Sequence, residues 1–225
     1  MTQRLSLLAL GLILLTAFGA SDALAQKSGG GLPAPIEFSA TYGSMWGGNI
    51  ETWNGTLRTA TGPSLGLALD IPIHPAMAIE LSYTRQDGAL DYETRNSTST
   101  LTDMSVNFWQ IGVVRGLTSG KVRPFLTTAI GATYFSPENE TVIVDEELFK
   151  IESSTKFSFM IGAGFKAYFG ESEKIGLRAS IKTFPTMYDT EGGVWFGTGG
   201  ASLGFSGSAL WQWEAAAGLT VKFGG

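Results

Sequence analysis

Between Ile36 and Phe223 large apolar side chains recur at every second position through eight segments, and the connections joining those segments are alternately short and long. A period of two sends successive side chains to opposite faces of a strand. Alternating connection lengths arrange such strands up and down, with tight turns at one end and long loops at the other. Few architectures accept both patterns at once.

The first segment sets Ile36, Phe38, Ala40 and Tyr42 against Glu37, Ser39, Thr41 and Gly43. Leu65, Leu67, Leu69 and Ile71 carry the second, and Ile79, Leu81 and Tyr83 the third. Around Met104–Leu117 each face holds both apolar and polar groups, and Trp109, Ile111 and Val113 are taken as the apolar face. Leu126, Ile130, Ala132 and Tyr134 mark the fifth segment, Phe157 through Phe165 the sixth, and Ile175 through Ile181 the seventh. The eighth runs from Trp211 to Phe223. Pro72–Pro75, Thr118–Lys121 and Gly170–Glu173 are tight turns, whereas Gly47–Gly62, Gln86–Asp103, Ser136–Thr155 and Pro185–Gly207 are long polar connections.

A soluble barrel or sandwich would show water a polar face opposite its core. Here one face is large and greasy, and the other holds Gly, Ala, Ser and Thr with a few charges. Small, partly polar residues suit a narrow interior, and big aliphatics and aromatics suit lipid. The expected fold is all-β: an eight-stranded antiparallel up-and-down transmembrane β-barrel over residues 36–223. The four long connections are expected to be its mobile part.

Met1–Arg4, an apolar run from Leu5 to Ala20 and Ala23-Leu24-Ala25 have the three-part layout of a secretory signal. The run is shorter than the ~20 residues of a spanning helix. Residues 1–25 are therefore read as a signal peptide and 26–35 as a periplasmic N-terminal linker. With no cysteine, neither lipid attachment nor a disulfide scaffold is available. A net charge of −5 excludes nucleic acid as a partner.

Enzymatic readings fail on histidine. General-base chemistry and zinc sites rely on it, and His74, in a proline-flanked turn, is the sole copy. No catalytic residue, cofactor or metal is expected. The predicted inner face carries Glu37, Asp70, Glu80 and Glu214 against Lys166, Arg178, Lys182 and Lys222. Charges withdrawn from water must pair, so this balanced set reads first as a structural salt-bridge network. Glu80 and Arg178 lie near the starts of strands four apart in the ring and face each other; adjacent strands offer a competing arrangement, with Lys182 meeting Glu214 higher up. The alternative is a gate whose pairs switch to open a narrow pore for ions or small solutes. The acidic stretch Ser136–Lys156 reads as a solvated loop, with divalent-cation binding near lipopolysaccharide, or contact with a host or neighbouring cell, as its alternatives. Asn54, Asn96 and Asn139 match glycosylation sequons, which are discounted in a bacterial chain.

Gly66-Leu67-Ala68-Leu69-Asp70, Ile79-Glu80-Leu81-Ser82-Tyr83 and Arg123-Pro124-Phe125 with Ala129-Ile130-Gly131-Ala132 resemble the small outer-membrane barrels of the OmpA/OmpX kind. The resemblance covers residues 36–223. It implies the outer membrane of a Gram-negative bacterium, both termini periplasmic, with outer-membrane lipid and lipopolysaccharide as surroundings. The last strand resembles the signal read by the barrel-assembly machinery, carried by Trp213, Leu219, Val221 and Phe223. The implied role is structural, or contact with a surface partner through the long loops; the alternative is the gated narrow channel.

Overall fold

The computed structural model describes residues 35–52, 55–93, 98–138, 141–144, 147–150, 153–187, 191–197, 200–206 and 209–223. Eight long strands form the wall: β1 (Ile36–Gly47), β2 (Gly62–His74), β3 (Met77–Glu93), β4 (Thr98–Gly116), β5 (Val122–Pro137), β6 (Ser154–Phe169), β7 (Ile175–Met187) and β8 (Ala209–Phe223). Each pairs antiparallel with its neighbours in chain order, and β8 pairs back onto β1 from Ile36↔Phe223 to Gly47↔Gln212. The result is a closed eight-stranded antiparallel barrel, the architecture the alternation predicts. Closure leaves no edge strand in the wall.

The ladders are staggered around the ring. Stepping across partners from Glu37 through Asp70, Glu80, Gly112, Ala129, Met160, Phe184 and Gln212 returns to β1 at Gly47. From position 37 to position 47 the stagger is ten residues, so the strands tilt and the paired rows climb as a spiral. Three tight turns gather at one end. In the turn between β6 and β7, Gly170 (φ 71°) and Glu173 (φ 47°) are left-handed, and Arg123 holds the Glu173 carboxylate in place.

Outward positions carry the large apolar side chains, among them Leu65, Ile130, Phe165, Ile181 and Leu219, all exposed on the protein's own surface. Along β4 the two faces are resolved. Trp109 (60 % exposed) and Ile111 (52 %) point out with Val113, while Met104, Val106, Phe108 and Gln110 are buried inside.

The long connections differ from expectation. They are largely hydrogen-bonded strands. β3 continues to Glu93 and β4 begins at Thr98, so most of Gln86–Asp103 extends these two paired strands. Asn49–Thr52 pairs with Gly55–Thr59, whose upper part also pairs with β3 beside Leu90–Glu93. Two further hairpins join Thr141–Val144 to Glu147–Lys150, and Glu191–Gly197 to Gly200–Ser206. Along Gln86–Asp91 the sequence alternates little between apolar and polar, although Gln86 and Thr102 are buried and Leu90 packs on the buried cluster. The expected signal peptide, the linker up to position 34, the three sequon asparagines and Glu140, Asp145, Glu146 and Glu152 lie outside the described residues.

Candidate functional site

Inside the barrel, near the tight-turn end, six of the eight sequence-derived lumen charges form one network. Lys166 donates to Glu37 and, at 2.5 Å, to Asp70. Arg178 donates to Glu80 and lies 3.5 Å from Asp70. Thr127 Oγ1 donates to Glu80 at 3.2 Å, and the Tyr168 hydroxyl donates to Glu37 at 2.8 Å. Lys222 sits 3.9 Å from Glu37, 3.7 Å from Glu173 and 3.6 Å above the Tyr168 ring. Arg178 and Glu80 are each 1 % exposed. Ions removed so far from water persist only because they are paired, although Asp70 Oδ1 keeps no hydrogen-bond partner.

The remaining two charges stand apart. Lys182 on β7 and Glu214 on the adjacent β8 approach to 3.0 Å farther from the turns. No directed hydrogen bond reaches the Glu214 carboxylate, so this contact is Coulombic.

Five members of the lower tier were not anticipated, Thr127 among them. Arg123 pairs with Glu173 and lies 4.7 Å from the Tyr168 ring, and the Phe125 ring lies 4.8 Å from the Arg178 guanidinium. Arg123, Phe125 and Tyr168 occupy inward positions of β5 and β6 next to tight turns. That placement is the signal that could have found them.

A second tier lies nearer the loop end, and it is apolar. Met45, Met104, Val106, Phe108, Ala129, Met160 and Phe184 form one buried cluster, with Phe108 and Phe184 ring centroids 4.4 Å apart. Amide and hydroxyl bridges brace it. Gln212 Nε2 donates to Gln86 Oε1 at 2.7 Å, and Gln86 Nε2 donates to the Ala60 carbonyl at 3.1 Å. Gln110 donates to Ser158 at 2.7 Å, and the Thr133 and Thr186 hydroxyls bond at 3.0 Å. The interior of this barrel is therefore packed with side chains, charged below and apolar above. An eight-stranded ring is just wide enough to be filled in this way.

His74 lies exposed in its turn, where Nδ1 accepts a 3.4 Å bond from the Ala76 amide. Among the described residues no cluster of three His, Cys, Asp or Glu side chains could hold a metal ion. On β8, Trp213, Leu219 and Phe223 face outward and exposed, with half-buried Val221 in the same row.

The model of the outer membrane protein beta-barrel domain family matches residues 10–208. The fold is similar to that of the outer membrane protein OprG from Pseudomonas aeruginosa, with a TM-score of 0.58 at 10% identity over 85% of this chain and 97% of that one. Neisserial surface protein A is similar at a TM-score of 0.52 and 14% identity, over 86% of this chain and 99% of that one. A major outer membrane protein from Thermus thermophilus gives 0.50 and 12% identity, over 84% and 99%. No curated protein sequence matches the chain.

Proposed function

Because the chain belongs to the outer membrane protein beta-barrel domain family, we propose that it is a closed, non-conducting barrel that stabilises the outer membrane and carries its hairpins as a surface for contact. The single observation behind this reading is the double seal of the lumen. Arg178, bound to Glu80, crosses the interior at one level, and Phe108 against Phe184 crosses it at the next. An ion entering from either end would meet a cross-braced salt-bridge network and an apolar layer in series. The reading assigns no catalytic residue, and the lumen charges act as structural members.

The strand ends at Ile36 and Phe223 lie at the tight-turn end, and short turns in transmembrane barrels face the periplasm. In this orientation both termini are periplasmic and the β3–β4 extension is extracellular. Outer-membrane lipid and lipopolysaccharide surround the wall. Trp213, Leu219, Val221 and Phe223 form the outward row of β8 offered to the barrel-assembly machinery.

Two measurements test the reading. Refolded protein in a planar bilayer should give no reproducible conductance steps. Steps abolished or enlarged by Arg178→Met would instead make the charge network a gate. The chain has no cysteine, so single-cysteine variants label cleanly. A membrane-impermeant maleimide on intact cells should label Thr100→Cys and spare Ser119→Cys, and the opposite result inverts the orientation.

A further inference from the structure

The outer wall carries a trough among its apolar side chains. Leu69, Leu81, Ile111 and Ile130 pair in register along one row, and Leu67, Tyr83 and Trp109 along the next. Between these rows runs an open groove of about 440 Å³, lined chiefly by carbon. Its lip towards the loop end is aromatic. The Tyr83 and Trp109 rings stand 4.4 Å apart, and the Tyr83 hydroxyl donates to Asn107 Oδ1 at 2.7 Å.

Directly beyond that lip the wall turns polar. Arg85 Nε donates to Asp87 Oδ1 at 2.9 Å, Arg85 Nη2 donates to Ser105 at 3.0 Å, and Ser105 donates to Asp87 at 2.8 Å. Among the described outward-facing residues of the eight strands, Arg85 is the only cation at the loop end; Arg115 lies at the other end of β4. A charge on a lipid-facing wall is costly in hydrocarbon and is tolerated where its stem reaches the headgroup layer. Arg85 stands there, directly above an apolar trough.

We propose that this groove is a lipid-binding site for a phosphorylated, multiply acylated glycolipid, with an acyl chain in the trough and a headgroup phosphate on Arg85. Trp109 and Tyr83 give the chain a rigid aromatic rail at the interface, the depth such side chains favour. The guanidinium carries five donors in a fixed fork. Asp87 pairs with its Nε and Nη2 groups at 2.9 and 2.8 Å and Ser105 accepts from Nη2, which fixes the fork; a headgroup phosphate would share the guanidinium with that carboxylate. The choice of a glycolipid rests on the orientation proposed above, which puts this lip in the outer leaflet.

The test is native mass spectrometry of the refolded barrel with equimolar lipid A, phosphatidylglycerol and phosphatidylcholine. One lipid A should be retained in preference to the other two. Arg85→Gln should lower that retention roughly tenfold, the factor carried by about 1.4 kcal/mol, and Arg115→Gln should leave it unchanged. Tyr83→Ala with Trp109→Ala should release the lipid even with Arg85 in place. Equal retention of phosphatidylglycerol overturns the glycolipid assignment, and undiminished retention by Arg85→Gln overturns the site. Labelling in cells can invert the orientation while lipid A still binds through Arg85, so the two readings fail separately.

Discussion

Replacing Arg178 by methionine removes the charge at the centre of the lower tier while keeping much of its volume. Arg178 is bound to Glu80 and lies 3.5 Å from Asp70, and all three are almost wholly buried. Before the change, Glu37, Asp70 and Glu80 face Lys166, Arg178 and Lys222 in the same network. After it, three carboxylates face two lysines. Glu80 keeps the Thr127 hydroxyl at 3.2 Å but loses its cation. Breaking a buried pair from one side costs about 3–5 kcal/mol, because the orphaned charge stays desolvated. Adding Glu80→Met restores the balance at two against two. The double variant should then lie within about 1–2 kcal/mol of the parent, since an apolar pair often substitutes for a buried ion pair at little cost. Urea unfolding in phospholipid vesicles, read by tryptophan fluorescence and by heat-dependent gel mobility, gives all three stabilities. Both variants should still insert, because lipid-facing apolar area drives insertion. If Arg178→Met is no less stable than the double variant, the two groups are uncoupled and the argument fails.

Phe184→Ala should destabilise the barrel by about 3–5 kcal/mol, because the ring is fully buried against Phe108 and no neighbour can refill its space; the same unfolding assay measures it. Phe223→Ala should lower the yield of folded protein in cells and leave the unfolding midpoint of what does fold nearly unchanged, since the ring faces outward with 56 % exposure; heat-modifiable protein quantified in membranes against purified samples separates these. The mature chain should start at Gln26, and N-terminal sequencing of envelope-purified protein that returned Met1 would refute the signal-peptide reading.

How far the sequence could be read depends on where each contrast came from. Lipid outside and a crowded lumen inside impose alternation on β1, β6 and β8, so their faces are legible residue by residue. The Glu80–Arg178 contact follows from strand count and depth. Lys166 reaching both Glu37 and Asp70 does not, because it depends on the ten-residue stagger, which no local pattern encodes. β4 is ambiguous for a definite reason. Its inward row holds Met104, Val106 and Phe108, which pack across the lumen on Met45 and Phe184, so both of its faces are apolar. A cluster assembled from β1, β4, β5, β6 and β7 leaves no mark within any one segment. The β3–β4 extension escaped notice because Gln86–Asp91 shows little apolar alternation.

The ladder between β1 and β8 differs in kind from the other seven. Those seven join segments that follow one another in the chain and can zip as each hairpin is made. The twelve partner pairs from Ile36↔Phe223 to Gly47↔Gln212 unite residues nearly the whole length of the wall apart. Until this seam shuts, the sheet has two raw margins with unpaired amides and carbonyls, and hydrocarbon offers them no substitute partner. Insertion and closure are therefore tied into one late event, whose loop-closure entropy is paid only once β8 is available. A ribosome that stalls before Ala209 leaves seven strands that have nowhere stable to go in the membrane, so quality control at this seam inspects the entire molecule at once.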